Sequence, residues 1–297
     1  MLQVRSISRS FQGNKVLDDL SFHAAPGRIT GFVGANGSGK TTTMRIILGV
    51  LAADAGTVTW HGVPITQQVR QRFGYMPEER GLYPKMKVAE QIVYLGRLHG
   101  LDLATARHNT AALLERLELI DRADDPVERL SMGNQQRVQI CAALVHEPDL
   151  LILDEPFSGL DPLAIETVLG VLRAQAARGV PVLFSSHQLE LVERLCDDLV
   201  IISGGTTAAS GDRKSLRARF STPRFELVVD GDAGWVRDVP GVEVSELDGA
   251  RVVFDLPESE AESEQAQRVL QEAVRRGPVR SFGAVVPSLA EIFREVI

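Results

Sequence analysis

A largely parallel α/β sheet followed by a smaller α+β unit is what this chain of 297 residues predicts, on three observations. Apolar runs of strand length alternate with helical repeats from Gly31 to Ser203, the rhythm of an open sheet covered by helices. The run 149–153 is apolar after its first residue, which suits a strand buried on both faces of a parallel sheet. From Ser221 onward the composition changes: 8 Arg, no Lys and 15 acidic residues carry the whole net charge of −7, while residues 1–220 balance to zero. That shift places a boundary near residue 220 and predicts domains over 1–218 and 221–297.

The first 60 residues read as short strands joined by turns, including 56–62, a strand closed by a glycine. Gly31-Phe32-Val33 ends an apolar strand, and 42–50 reads as a helix. Residues 88–119 are predicted helical, with Ile92, Leu95 and Leu98, then Leu113, Leu114 and Leu117, at helical spacing. A helix over 134–146 precedes the apolar run, a helix over 163–178 leads into a strand at 180–185, and 199–203 adds another strand. In the tail, 225–229, 242–247, 251–256 and 279–285 read as strands, with a short helix near 234–238. A clear helix spans 260–276, where Ser259 and Glu262 form a capping box. Ala266, Val269, Leu270, Ala273 and Val274 make its apolar face, and Gly277-Pro278 stops it. The order β-α-β-β-α-β is the split βαβ, ferredoxin-like pattern.

The chemistry concentrates where these strands end. Gly34-Ala35-Asn36-Gly37-Ser38-Gly39-Lys40-Thr41-Thr42 fits G-x-x-x-x-G-K-[ST] between a strand and a helix. Its glycines let the backbone curl so that N–H groups of Asn36, Gly37, Ser38 and Gly39 point at phosphate. Lys40 reaches the β and γ oxygens, and the Thr41 hydroxyl, followed by Thr42, is placed to ligate Mg²⁺. A second stretch, Leu130-Ser131-Met132-Gly133-Asn134-Gln135-Gln136-Arg137, sets a Ser/Gly turn at a helix head. Free N–H groups and a positive dipole end make Ser131, Gly133 and Asn134 a second anion site. Asp154, at the end of the buried strand, can hold Mg²⁺ through water, and Glu155 is placed to orient or deprotonate a water attacking the γ-phosphate. His187 follows a strand and Ser185-Ser186, so it emerges at the same edge and can link Glu155 to the γ-phosphate.

Composition narrows the class. No apolar run approaches the roughly 18 to 20 residues that span a bilayer, and Met1-Leu2-Gln3-Val4-Arg5 has no signal-peptide core, so a soluble chain is expected. Cys141 and Cys196 lack a nearby Cys or His at ligand spacing and read as small core residues of a reduced compartment. An acidic tail and a neutral remainder argue against nucleic acid as a partner.

In this order the motifs resemble those of the nucleotide-binding subunit of an ATP-binding cassette (ABC) transporter, over residues 1 to about 215. Residues 34–42 match its Walker A motif, 130–137 its signature, 150–155 its Walker B motif, Ser158-Gly159-Leu160-Asp161 its D-loop and His187 its switch histidine. The resemblance implies an α/β P-loop NTPase (RecA-like) core with an antiparallel β subdomain. It also implies an inserted helical subdomain, about residues 84–148, that touches the membrane subunit. ATP and Mg²⁺ follow as cofactors, with Phe11 stacking on adenine beside Val16 and Asp161 among the nucleotide-binding residues. From the sequence alone Phe11 also reads as a strand-core aromatic. The resemblance further implies that two cassettes, as a homodimer or heterodimer, close head to tail. Each signature then caps the γ-phosphate held by the other copy, and reopening acts as a lever on separately encoded permease subunits. Such a chain is expected in the cytoplasm, held at the inner face of the cell membrane through its permease.

Two departures stand out. Tyr75-Met76-Pro77 leads into Glu78, where the family carries glutamine; Glu78 keeps an oxygen for Mg²⁺, loses the amide donor and adds charge. In the signature, Met132 and Asn134 replace Gly and Gln, leaving Ser131 and Gly133 to make the contact. With Gly81-Leu82-Tyr83-Pro84 and the stretch 287–293, these resemble bacterial exporter ATPases similar to the sodium-efflux, ABC-2-type cassettes, which carry an acidic C-terminal extension. Two other classes stay open: an ABC ATPase acting on a cytosolic assembly, and a regulatory protein without catalysis. One uninterrupted cassette per chain disfavours the first, and the presence of Lys40, Asp154, Glu155 and His187 disfavours the second.

Overall fold

The computed structural model describes residues 1–79, 81–219, 223–256, 262–285 and 291. The chain divides after Arg213 into two compact units. This division falls inside a helix rich in Arg and Lys, a few residues before the change in charge, because charge marks where acidic sequence begins and not where packing changes.

The first unit opens with β1 (Leu2–Phe11) and β2 (Asn14–Ala24), joined by Gln12 and Gly13 at φ of 50° and 86°. Two positive φ values in succession match the right-handed twist of a hairpin. These strands are 10 and 11 residues long, not the short strands expected. Their pairing shifts register between Val4 and Ile7, Ile7 and Arg9, and Arg9 and Ser10, so the period-2 pattern breaks and the sequence reads as fragments. β3 (Ile29–Val33) enters the glycine-rich loop, which opens α1 (Lys40–Ile47). β4 (Ala55–Trp60) and β5 (Val63–Pro64) complete an antiparallel sheet of order β2-β1-β4-β5.

After α2 (Gln67–Arg70) and β6 (Phe73–Met76) comes a helical stretch of α3 (Val88–Leu98), α4 (Leu103–Arg116) and α5 (Met132–Leu144). The single helical run expected over 88–119 is two helices. Gly100 turns at φ 94°, and Asp102 caps α4 by accepting from the Thr105 N–H at 2.9 Å. β7 (Leu150–Leu153), α6 (Pro162–Ala177), β8 (Val182–Ser186), α7 (Leu189–Leu195), β9 (Asp198–Ser203), β10 (Thr206–Asp212) and α8 (Arg213–Arg219) follow. The second sheet has the order β10-β9-β3-β8-β7-β6, parallel throughout except for the antiparallel edge strand β10. All four residues of β7 are fully buried, as their unbroken apolar run requires, each burial stabilising by about 1.5–3 kcal/mol relative to exposure. One core joins the two sheets through α1: Phe22 meets Phe32 at 5.0 Å between ring centres, with Met44 and Ile47 packed into the same cluster.

The second unit contains β11 (Arg224–Val229), a 3₁₀ turn at Gly234–Asp238, β12 (Glu243–Asp248), β13 (Arg251–Asp255), α9 (Glu262–Arg276) and β14 (Val279–Ala284). Its sheet is antiparallel in the order β12-β13-β11-β14, the split βαβ arrangement with the first crossover shortened to the 3₁₀ turn. Ala266, Val269 and Ala273 bury the face of α9, but Val274 is exposed, since it sits one position past the buried stripe. The proposed cap Ser259 and most of the stretch 287–293 lie outside the described residues.

Candidate functional site

The parallel sheet gathers the motifs. β3, β8 and β7 are neighbours, with Val33 opposite Ser186 and Leu153 opposite Phe184, so the loops leaving their carboxyl ends emerge side by side. β6 pairs Met76 with Leu153, which brings Pro77-Glu78 beside Asp154. Gln139 of α5 donates to the carbonyls of Pro77 (3.3 Å) and Glu79 (3.4 Å), fixing the backbone on both sides of Glu78.

A cavity of about 580 Å³ opens at this edge. Asn36, Gly37, Gly39, Lys40, Thr41 and Thr42 line it from the glycine-rich loop, and Glu78, Asp154 and Glu155 from the neighbouring strands. Phe11 and Val16 close the far side; Phe11 is 41 % exposed, which makes it an accessible aromatic surface and not a core residue. The Arg9 guanidinium lies 4.9 Å from its ring centre.

Loop geometry explains the glycines. Gly39 takes φ of 104°, and a Cβ there would stand 2.4 Å from Leu17 Cδ2. Gly39 also heads α1 without any side-chain cap, leaving the first N–H groups of the helix open to an anion. Ser38 does not line the cavity; its Oγ is buried inside the loop without a hydrogen-bond partner. Lys40 Nζ donates to the carbonyls of Gly34 (2.8 Å) and Ala35 (3.2 Å). Burial pushes its pKa down, and the charges of Glu155, Asp154 and Glu78 oppose that shift.

The carboxylates are held one by one. Asp154 accepts from the Thr41 hydroxyl at 2.8 Å and, on its other oxygen, from the Ser185 hydroxyl. Glu155 takes a positive φ of 51°, a conformation that costs a non-glycine residue about 1–3 kcal/mol. Its N–H donates to Ser185 Oγ at 2.9 Å, and its carbonyl accepts from Gln136 Nε2 at 2.9 Å. Its carboxylate points to His187, whose Nδ1 lies 3.0 Å from Oε1; with Glu155 ionised, the imidazole donates that proton. Asp154 and Glu155 are buried while His187 is half exposed, so the imidazole forms the outer wall of the pair.

The oxygen donors suit Mg²⁺. Thr41 and Asp154 already stand at hydrogen-bond distance, and both are hard ligands. Among the described residues no group of three or more His, Cys, Asp or Glu could hold a metal ion.

Ser131, Gly133, Asn134 and Asp161 do not line this cavity. Ser131 caps α5, its Oγ accepting from the Asn134 N–H at 3.3 Å, and Asp161 caps α6, accepting from Ala164 N–H at 2.9 Å. A Cβ on Gly133 would lie 3.3 Å from the Gly159 carbonyl, so the two helix heads adjoin. The Asn134 side chain turns back along its helix to accept from Arg137 at 2.5 Å. Exposed Met132 and Leu163 flank these heads. Three residues of the site were not anticipated. Arg45 lines the cavity one turn past Thr41, at a helical spacing the motif does not include. Ser185 and Gln136 act through long-range hydrogen bonds, which leave no local pattern.

A glycine-rich loop at a helix head, an adjacent Asp-Glu pair and a histidine at the edge of one parallel sheet define a P-loop ATPase with an inserted helical stretch. Residues 17–158 match the ABC transporter family, and residues 211–297 match the C-terminal domain of ATP-binding proteins of the DrrA1-3 type. The uncharacterized ABC transporter ATP-binding protein YhaQ of Bacillus subtilis is 37 % identical over the full chain and 98 % of that relative. The Nod factor export ATP-binding protein I of Paraburkholderia xenovorans is 40 % identical over 84 % of this chain and 83 % of its own. The linearmycin resistance ATP-binding protein LnrL of Bacillus subtilis is 36 % identical over 78 % of this chain and 76 % of its own. The solved structure of an ATP-binding subunit of an ABC transporter superposes with a TM-score of 0.69 at 33 % identity, covering 74 % of this chain and 93 % of that one. The chain belongs to the ABC transporter family as an ATP-binding subunit, and it is an ATPase of the cassette type. Among the described residues no helix is long and apolar enough to cross a membrane.

Proposed function

We propose that this chain hydrolyses ATP with Glu155 as the general base and His187 as its positioning and γ-phosphate-sensing partner, to drive a membrane exporter. The observation that carries the reading is the contact of His187 with the carboxylate of Glu155, which lines the same cavity as Lys40 and Thr41. Lys40 and the loop N–H groups bind the phosphates, and Phe11 with Val16 receives the base. Thr41 and Asp154, with Glu78 nearby, would hold Mg²⁺, which neutralises charge on the phosphate oxygens when bound. The buried Glu155 carboxylate accepts the proton of the attacking water, and His187 keeps that carboxylate aimed.

The helix heads at Ser131–Gly133 and at Asp161 stand outside this cavity and expose Met132 and Leu163, which supports a head-to-tail pair in which each copy caps the other's nucleotide. Export as the direction is supported by relatives named for Nod factor export and linearmycin resistance. In this reading the chain works at the cytoplasmic face of the cell membrane, held there by separate permease subunits, and binds no nucleic acid. Glu155→Gln tests the chemistry: ATP binding is retained and turnover falls by at least 100-fold, the scale of losing a general base. Hydrolysis at the native rate by this variant would sink the assignment.

A further inference from the structure

Glu155 sits in a backbone conformation that its own side chain does not favour, at φ 51°, and nothing in the local sequence supplies a glycine to relieve it. Two buried side chains from distant parts of the chain meet the backbone of that residue, one at its N–H and one at its carbonyl. The Ser185 hydroxyl, at the end of β8 and fully buried, accepts the Glu155 N–H at 2.9 Å and sends its single proton to Asp154. Gln136, in the second turn of α5 and 4 % exposed, donates to the Glu155 carbonyl at 2.9 Å.

We propose that Ser185 and Gln136 are positioning residues that grip the Glu155 backbone on both sides and so hold its carboxylate in line for the attacking water. The inference rests on the reading of Glu155 as the base. Each contact has a stated chemical reason. A hydroxyl carries one proton and two lone pairs, so Ser185 can bridge the N–H of Glu155 and the carboxylate of Asp154 at once. That fixes the spacing between the base and the residue assigned to the metal. The Gln136 amide supplies the matching donor on the carbonyl side, and it rides on the helix headed by Ser131. A shift of that helix head is therefore delivered to the base through one hydrogen bond. Burial keeps water from replacing either partner, which leaves the grip dependent on these two side chains.

The test uses the full chain with four variants: Ser185→Ala, Ser185→Thr, Gln136→Met and Glu155→Gln. Steady-state ATP hydrolysis, Mg²⁺ titration, nucleotide binding and thermal unfolding are measured for each. Ser185→Ala and Gln136→Met should each lower kcat by about 10- to 100-fold, the range for removing a side chain that orients a reacting group, with KM for ATP changed less than about threefold. Ser185→Thr keeps the hydroxyl and should recover most of the rate. Native kcat in Ser185→Ala or Gln136→Met would overturn the grip, as would a loss that appears in KM. An increased Mg²⁺ requirement in Ser185→Ala with native kcat at saturating Mg²⁺ would assign Ser185 to Asp154 alone and also overturn it. An unfolded Ser185→Ala leaves the decision to Gln136→Met, which keeps the side-chain length and removes the amide that donates to Glu155. Native hydrolysis by Glu155→Gln would instead overturn the reading of the base, and the two failures are distinct.

Discussion

Gly39 and Gly37 sit two residues apart in the same loop, both at positive φ (104° and 80°), yet their surroundings differ. A Cβ at Gly39 would stand 2.4 Å from Leu17 Cδ2 and 3.2 Å from the Val16 carbonyl, whereas one at Gly37 would meet nothing within 4 Å. Gly39→Ala thus combines backbone strain of about 1–3 kcal/mol with a collision against the core strand that carries Val16. It should lower the thermal midpoint by several degrees and abolish ATP binding measured by calorimetry. Gly37→Ala carries the strain without the collision and should lose less stability. A Gly39→Ala protein that melts and binds like the native one would refute the argument from Leu17. Such single positions divide the site into what could be read and what could not. Lys40 and Thr41 could be located because the glycine-rich motif sets them at the head of α1, and Asp154 and His187 because each follows an apolar strand. Arg45, Ser185 and Gln136 were not, because each is recruited by a partner 19 or more residues away or by the turn of a helix. Phe11 was ambiguous between core and surface until its exposure in the cavity decided it.

The joint between the helical stretch and the sheet carries a different dependence. His146, just past the end of α5, stacks on His99, just past α3, with ring centres 3.7 Å apart and planes 10° from parallel. His146 Nε2 bonds to the Phe73 carbonyl at 3.2 Å, and His99 Nδ1 bonds to the Gln71 carbonyl at 2.9 Å, so both rings clasp the start of β6. Burial first, and then the neighbouring His99, push the His146 pKa from its ordinary 6.5 down to about 4; its bond to the Phe73 carbonyl opposes this. A histidine held neutral in the fold binds fewer protons there than in the unfolded chain. Its contribution is intact above pH 6.5 and is lost as pH falls from 6.5 toward 4. The thermal midpoint should therefore drop across that window, and His146→Gln, which keeps an amide donor for Phe73, should flatten the drop. An unchanged slope in the variant would remove His146 as its source. Helices and strands of this joint were largely readable from period alone, with one failure of kind: Gly100 and the Asp102 cap split what apolar spacing joined, since a spacing argument ignores capping chemistry. β1 failed the opposite way, its bulges dividing in sequence a strand that is continuous in space.

Charge placed the acidic tail in a unit of its own, and the described residues give that unit its own interior. Leu227 and Val229 of β11, Val252 and Phe254 of β13, Val269 of α9 and Val236 of the 3₁₀ turn are buried in one cluster, with Val244 of β12 and Phe282 of β14 packed against it. Its sheet also carries charged pairs: Arg251 pairs with Glu246 at 2.9 Å and Arg224 with Asp255 at 2.7 Å, exposed or half-exposed contacts that contribute little to stability. Every residue lining the cavity proposed to take the nucleotide lies before residue 156. Two expectations follow for the separated parts. A chain ended after Arg219 should keep its affinity for ATP within about threefold, because no lining residue is removed and the loop strands stay in one sheet. Residues 214–297 alone should melt cooperatively, but at a lower temperature than the first unit, since a core of this size buries a smaller share of its surface. Calorimetric titration of the shortened chain and a circular-dichroism melt of the tail check these separately. Loss of ATP affinity in the shortened chain would mean that the acidic unit helps form the site. Full affinity together with weaker ATP-driven pairing would place its work between two copies and leave the chemistry to the first 213 residues.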